Sequence, residues 1–241
     1  MNGLTITPAD IGAFLVVLLR VGALAFTAPV IGDSGIPVRA RLVFCVAVAA
    51  ALAANRHGVA LADVPVTGVI ELGSGIITGL TARFVMARLA NAGQLMGMAL
   101  GLGFASEYDV HAGENAGILA TLTSTLGSLA FLAAHGLEAI VRSVATPATG
   151  FSLLTGSTEL LRQGTACFGY GLSLAAPIIL AALIGNVGLA VMNRAAPAVN
   201  VFSIALSAVL LLGVALLIAS AGGFVAGAVD VAHAAVTSLN P

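Results

Sequence analysis

Long apolar runs constrain this chain more than any other feature. They lie at about Ile11 to Ile31, Leu42 to Ala54, Val69 to Phe104, Ala116 to Ala134, Thr165 to Met192 and Val199 to Val229. Several exceed the roughly 20 residues that a helix needs to cross a hydrocarbon core. Backbone N–H and C=O groups in lipid must be satisfied inside a helix or a closed barrel. Barrel strands are segments of roughly ten residues with alternating polarity, a pattern that runs of Leu, Ala, Val and Ile this long do not have. The runs therefore predict helices, and the chain reads as an all-α, polytopic membrane protein. A hydrophobic fraction of 59% with 8% charged residues and a mean hydropathy of +1.11 agree, being far from the mix of a soluble domain.

The breaks between runs are turn-like: Gly32 to Pro37, Ala54 to Gly58 with Ala62 to Pro65, Ser106 to Asn115, Thr146 to Gly150 and Asn193 to Pro197. They divide the chain into six or seven Gly-rich helices. No linker, charge block or polar segment separates domains, so residues 1–241 are expected to form a single integral-membrane domain. Met1 to Asp10 carries no basic residue and the first run is longer than a signal-peptide h-region, so insertion is expected to use the mature chain. Arg39 and Arg41 would place the first connection in the cytoplasm, and Glu107, Asp109 and Glu114 would place theirs on the other side.

Several functions are disfavoured. A net charge of −1 and a pI near 6.4 offer no basic patch for nucleic acid or anionic lipid. Cys45 and Cys167 sit inside apolar runs without CxxC or metal-ligand spacing and read as core residues. His135 stands alone at the end of a run, while His111 and Glu107 fall in a loop. The LGSG at Leu72 to Gly75 lacks the first glycine of a nucleophile elbow, and there is no P-loop. No catalytic residue, metal or cofactor is expected.

Polar residues inside the apolar runs are more informative. Arg20, Glu71, Arg83, Arg88, Asn91 and Gln94 interrupt them. Each charge facing lipid would cost roughly 3 kcal/mol at a helix centre, so these side chains must meet protein, water or one another. Arg88, Asn91 and Gln94 recur at three-residue intervals as a polar stripe that could line a pore, clasp a partner subunit or form an internal network. Burial against protein is favoured, because buried polar groups have partners. Glycines four apart, Gly75/Gly79, Gly93/Gly97/Gly101 and Gly223/Gly227, lie on single helix faces and let backbones approach closely.

Three segments then resemble one known family. The first is Leu18 to Leu42, with Arg20, Phe26, Ala28-Pro29, Pro37, Arg39 and Arg41. The second is "GLGFASEYD", Gly101 to Asp109, after a "GQLMG" helix. The third is "GLAVMNRAAPAVNVF", Gly188 to Phe202, with Asn193, Arg194 and Pro197 as a family turn. In this order they are similar to the FliR family, called SctT in virulence-type systems.

The resemblance implies a fold that combines a FliP-like portion with a FliQ-like helical hairpin. It implies an inner-membrane, multi-pass subunit of the type III export gate, read as that of the flagellar basal body with virulence-type export left open. FliP-like and FliQ-like subunits would complete a conduit for unfolded export substrates. FliB/FlhB-type and FlhA-type components would be further partners. Packing of the first helices against sister subunits would let Arg20 find partners and let Pro29 break a helix. The loop Phe104, Ala105, Ser106, Glu107, Tyr108 and Asp109 matches the family's plug, although its acids put tight apolar packing of that plug in doubt. From the residues alone, the rival is a secondary transporter of a small solute using Arg83, Arg88 and Glu71.

Overall fold

Helix α1 (Pro8–Thr27) starts where the sequence supplies two caps at once. Thr7 Oγ1 accepts from the Asp10 N–H, Asp10 Oδ2 accepts from the Thr7 N–H at 2.8 Å, and Pro8 occupies the first turn. In this computed structural model, the residues described are 7–33, 35–54, 58–102, 117–146, 148, 153–195 and 201–239. Among them the helices that follow α1 are α2 (Val38–Ala53), α3 (Val64–Ala99), α4 (Ile118–Ala133), α5 (Gly136–Ala145), α6 (Leu153–Ala195) and α7 (Val201–Leu239). The chain is a polytopic helical protein. Among the described residues four helices are long and apolar enough to cross a membrane, and α4 with α5 supplies a fifth if that broken pair is one span.

Two compact units organise the chain, one of residues 1–85, 131–164 and 233–241, the other of residues 86–130 and 165–232. In the first, α1 ends because Pro29 holds Ala28 in extended backbone. Val30 follows with φ +66°, a left-handed conformation that a β-branched residue rarely adopts. α2 returns along α1 with Arg41, Cys45 and Ala49 buried at four-residue spacing. α3 crosses α1 where glycines permit it. A Cβ on Gly75 would stand 2.7 Å from the Arg20 carbonyl oxygen, and one on Gly79 would strike the Thr27 side chain.

The second unit packs around Ala92, Met96, Leu100, Leu119, Ala175, Ile178, Ala182 and Phe224. Gly93 meets Leu119 and Thr123 of α4, Gly171 meets the α3 backbone at Arg88, and Gly227 meets Tyr170 and Leu174. These last contacts bring α7 against α6. At 1.5 Å per residue, the 36, 43 and 39 residues of α3, α6 and α7 extend over about 54, 65 and 58 Å. That is up to twice the hydrocarbon thickness of about 30 Å.

Gly101 departs from the expected glycine stripe. It has φ +74°, its N–H donates to the Met98 carbonyl, and the Leu102 N–H donates to the Gly97 carbonyl. This is the paired bonding that closes a helix on a left-handed glycine, so Gly101 stops α3 and does not continue its packing face. α6 also begins at Leu153, well before the apolar run at Thr165. Glu159 accepts from Arg162 at 2.7 Å and from Gln163 at 2.6 Å, which lets the helix carry these polar residues.

Candidate functional site

Arg20 is the centre of a buried polar node in the first unit. The close α1–α3 approach at Gly75 brings Glu71, one turn earlier on α3, beside it. Arg20 Nη1 donates to Glu71 Oε2 at 2.8 Å, with both residues buried at 4% and 6% exposure. The same Nη1 donates to the Thr146 carbonyl at 2.8 Å, and Nη2 donates to the Ser143 carbonyl at 2.8 Å. Ser143 lies in the last turn of α5 and Thr146 is its C-cap. Carbonyls at a helix C-terminus have no partner within their own helix and carry the negative end of its dipole. Arg20 therefore caps α5 from a distant part of the chain. Glu71 Oε1 accepts from the Ala148 N–H at 3.2 Å, fixing the backbone just beyond. The partners that make an arginine tolerable in an apolar helix lie within the chain itself.

Two further arginines hold the turn between α1 and α2. Arg41 Nη2 donates to the Asp33 carbonyl at 2.8 Å, and its guanidinium lies 4.9 Å from the centre of the Phe26 ring. Arg83 Nη2 donates to Asp33 Oδ1 at 3.0 Å in a half-exposed pair. Arg41 is buried. It is engaged inside the fold instead of marking a solvated loop, which leaves Arg39 as the exposed charge of the pair used for orientation.

In the second unit the expected polar stripe splits. The Arg88 guanidinium lies 5.3 Å from the centre of the Tyr170 ring, and Asn91 Nδ2 donates to Cys167 Sγ at 3.3 Å. Gln94 is exposed. A step of three residues falls about 60° short of a full helical turn, so Gln94 has rotated about 120° away from Arg88. Gly93 is a close crossing point, whereas a Cβ on Gly97 would meet open space. Asn193 and Arg194 are exposed in the last turn of α6, where a cation suits the helix dipole. The plug segment Phe104, Ala105, Ser106, Glu107, Tyr108 and Asp109, and Pro197 of the family turn, lie outside the described residues.

Sequence reasoning did not find Ser143, Thr146 and Ala148 as the partners of Arg20 and Glu71. They contribute backbone groups, which leave no side-chain signature. Asp33 and Tyr170 were legible only as lone polar residues. The pairing of Glu138 with Arg142 at 2.6 Å has the four-residue spacing that could have revealed α5.

These nodes brace helices against helices. The sequence model of bacterial export proteins, family 1, matches residues 11–234. Flagellar biosynthetic protein FliR of Escherichia coli (strain K12) is 32% identical over 219 residues, 84% of this chain and 81% of that protein. The protein of that name from Caulobacter vibrioides is 32% identical over 220 residues, covering 86% and 87%. That from Aquifex aeolicus (strain VF5) is 30% identical over 222 residues, covering 86% of each. A match that begins in α1, ends in α7 and takes in both arginine nodes makes this chain a member of the bacterial export proteins, family 1.

Proposed function

We propose that the chain is a subunit of the flagellar protein export apparatus in the bacterial inner membrane. In this reading it forms, with FliP-like and FliQ-like subunits, a gate through which unfolded substrates pass. Family membership across residues 11–234 supports the export role. The single observation that carries the gate reading is the excess of apolar helix over membrane. α3, α6 and α7 each far outrun the bilayer core, and α3 exposes apolar side chains from Val66, Val69, Ile70 and Leu72 through Phe84 to Met98, about 48 Å along the helix. Apolar surface that lipid cannot cover along its whole length calls for other protein surfaces. The whole chain acts as one integral domain, with the loop from Phe104 to Asn115 closing the conduit at rest. FliB/FlhB-type and FlhA-type components dock on the assembled gate.

The transporter alternative loses support from the same geometry. Glu71 is engaged with Arg20 and Ala148, and Arg83 with Asp33. The test is co-expression with FliP-like and FliQ-like subunits followed by mild detergent extraction. A stable complex of the three is expected, with rapid loss of the chain expressed alone. A monodisperse lone chain that moves a small solute in liposomes would overturn the proposal.

A further inference from the structure

Helix α5 divides its circumference into three sectors. Gly136, Ala139, Ile140, Ser143 and Val144 are buried on one side. At about 100° per residue, Leu137 and Val141 come next, one turn apart and both exposed. Glu138 and Arg142 follow, joined by an ion pair at 2.6 Å. His135 extends that strip, its Nδ1 3.8 Å from Glu138 Oε2. Water disfavours the apolar ridge and hydrocarbon disfavours the charged strip. The 10 residues of α5 extend over about 15 Å, half the thickness of a hydrocarbon core. A short helix with protein, apolar and charged sectors in sequence suits the membrane–water boundary.

The charged strip lines a cleft of about 190 Å³ formed by His135, Glu138, Ala139, Arg142 and Val236. Clefts that enclose drug-sized molecules run to roughly 300–1,000 Å³, so this one suits a small polar group. Its chemistry is mixed. Arg142 Nη2 donates to Glu138, and the side chain is 70% exposed, its guanidinium being a planar fork of donors that matches a phosphate. Glu138 beside it repels a purely anionic ligand and attracts an ammonium group with N–H donors. We infer that the cleft holds the headgroup of a zwitterionic aminophospholipid. The phosphate sits on Arg142 and His135, the ammonium on Glu138, and the acyl chains on the Leu137/Val141 side.

The test uses the full chain, extracted with its co-assembled membrane subunits and exchanged into nanodiscs of phosphatidylethanolamine, phosphatidylcholine or phosphatidylglycerol. Native mass spectrometry reads the retained lipid. The parent retains phosphatidylethanolamine in preference to the other two. Arg142→Gln lowers that retention about tenfold or more, the effect of one charge-assisted hydrogen bond. Glu138→Gln keeps lipid bound but loses the preference for ethanolamine over choline. Both side chains are exposed, so neither substitution disturbs the core. Equal retention of the three lipids, or no change in Arg142→Gln, overturns the inference. Binding of inorganic phosphate at the cleft with no lipid retained there also overturns it and assigns the cleft to a free anion.

Discussion

Replacing Arg20 by leucine sets two effects of similar size against each other at different steps. Loss of the charge eases insertion of α1 by roughly 3 kcal/mol, so the amount of chain in the membrane should hold or rise. Folding within the membrane should suffer. Three hydrogen bonds of 2.8 Å disappear, Glu71 loses its arginine at a site only 6% exposed, and α5 loses the cation at its C-terminus. Removing one partner of a buried pair costs about 3–5 kcal/mol, a large part of a typical stability of about 5–15 kcal/mol. The double variant Arg20→Leu/Glu71→Leu separates the pair from the caps. It removes the orphaned carboxylate but still leaves the Ser143 and Thr146 carbonyls and the Ala148 N–H without these partners, each worth about 1–3 kcal/mol. Partial rescue is expected. Unfolding in mixed micelles, analysed as a double-mutant cycle, measures all three variants. A single variant within about 0.5 kcal/mol of the parent, or complete rescue in the double, would refute the capping role of Arg20.

Gly93→Ala should destabilise by about 1–3 kcal/mol, because its Cβ meets the α4 backbone 2.5 Å away at Leu119, whereas Gly97→Ala, with open space, should be neutral; the same micelle unfolding assay compares them, and equal effects would defeat the argument. Val30→Gly should stabilise the first unit by about 1 kcal/mol by relieving a left-handed β-branched residue, and a lower melting temperature would show that the Val30 side chain matters more than its backbone. If the proposed plug is right, deleting Ser106 to Gly113 should leave assembly with partners intact and raise permeability to small ions. A conductance equal to that of the parent complex rules this out.

The sequence by itself determined the helical, membrane-embedded class, because apolar runs of this length leave the backbone no other way to satisfy its polar groups in lipid. It also determined that Arg20 and Glu71 could not face hydrocarbon and that Gly75 and Gly79 share a helix face. Which groups answer Arg20 was decided only by the tertiary structure. Two of its three hydrogen bonds go to backbone carbonyls more than a hundred residues away, and every residue has a carbonyl. Glycine spacing likewise did not distinguish Gly93, a crossing point, from Gly97, open, or from Gly101, a helix stop. Those three differ in what lies opposite them and in the sign of φ, which depend on chain segments outside the motif. α5 stayed hidden because ten amphipathic residues produce no apolar run. Its three-sector face makes sense only once the helix has been set against its neighbours and its ridge left outside.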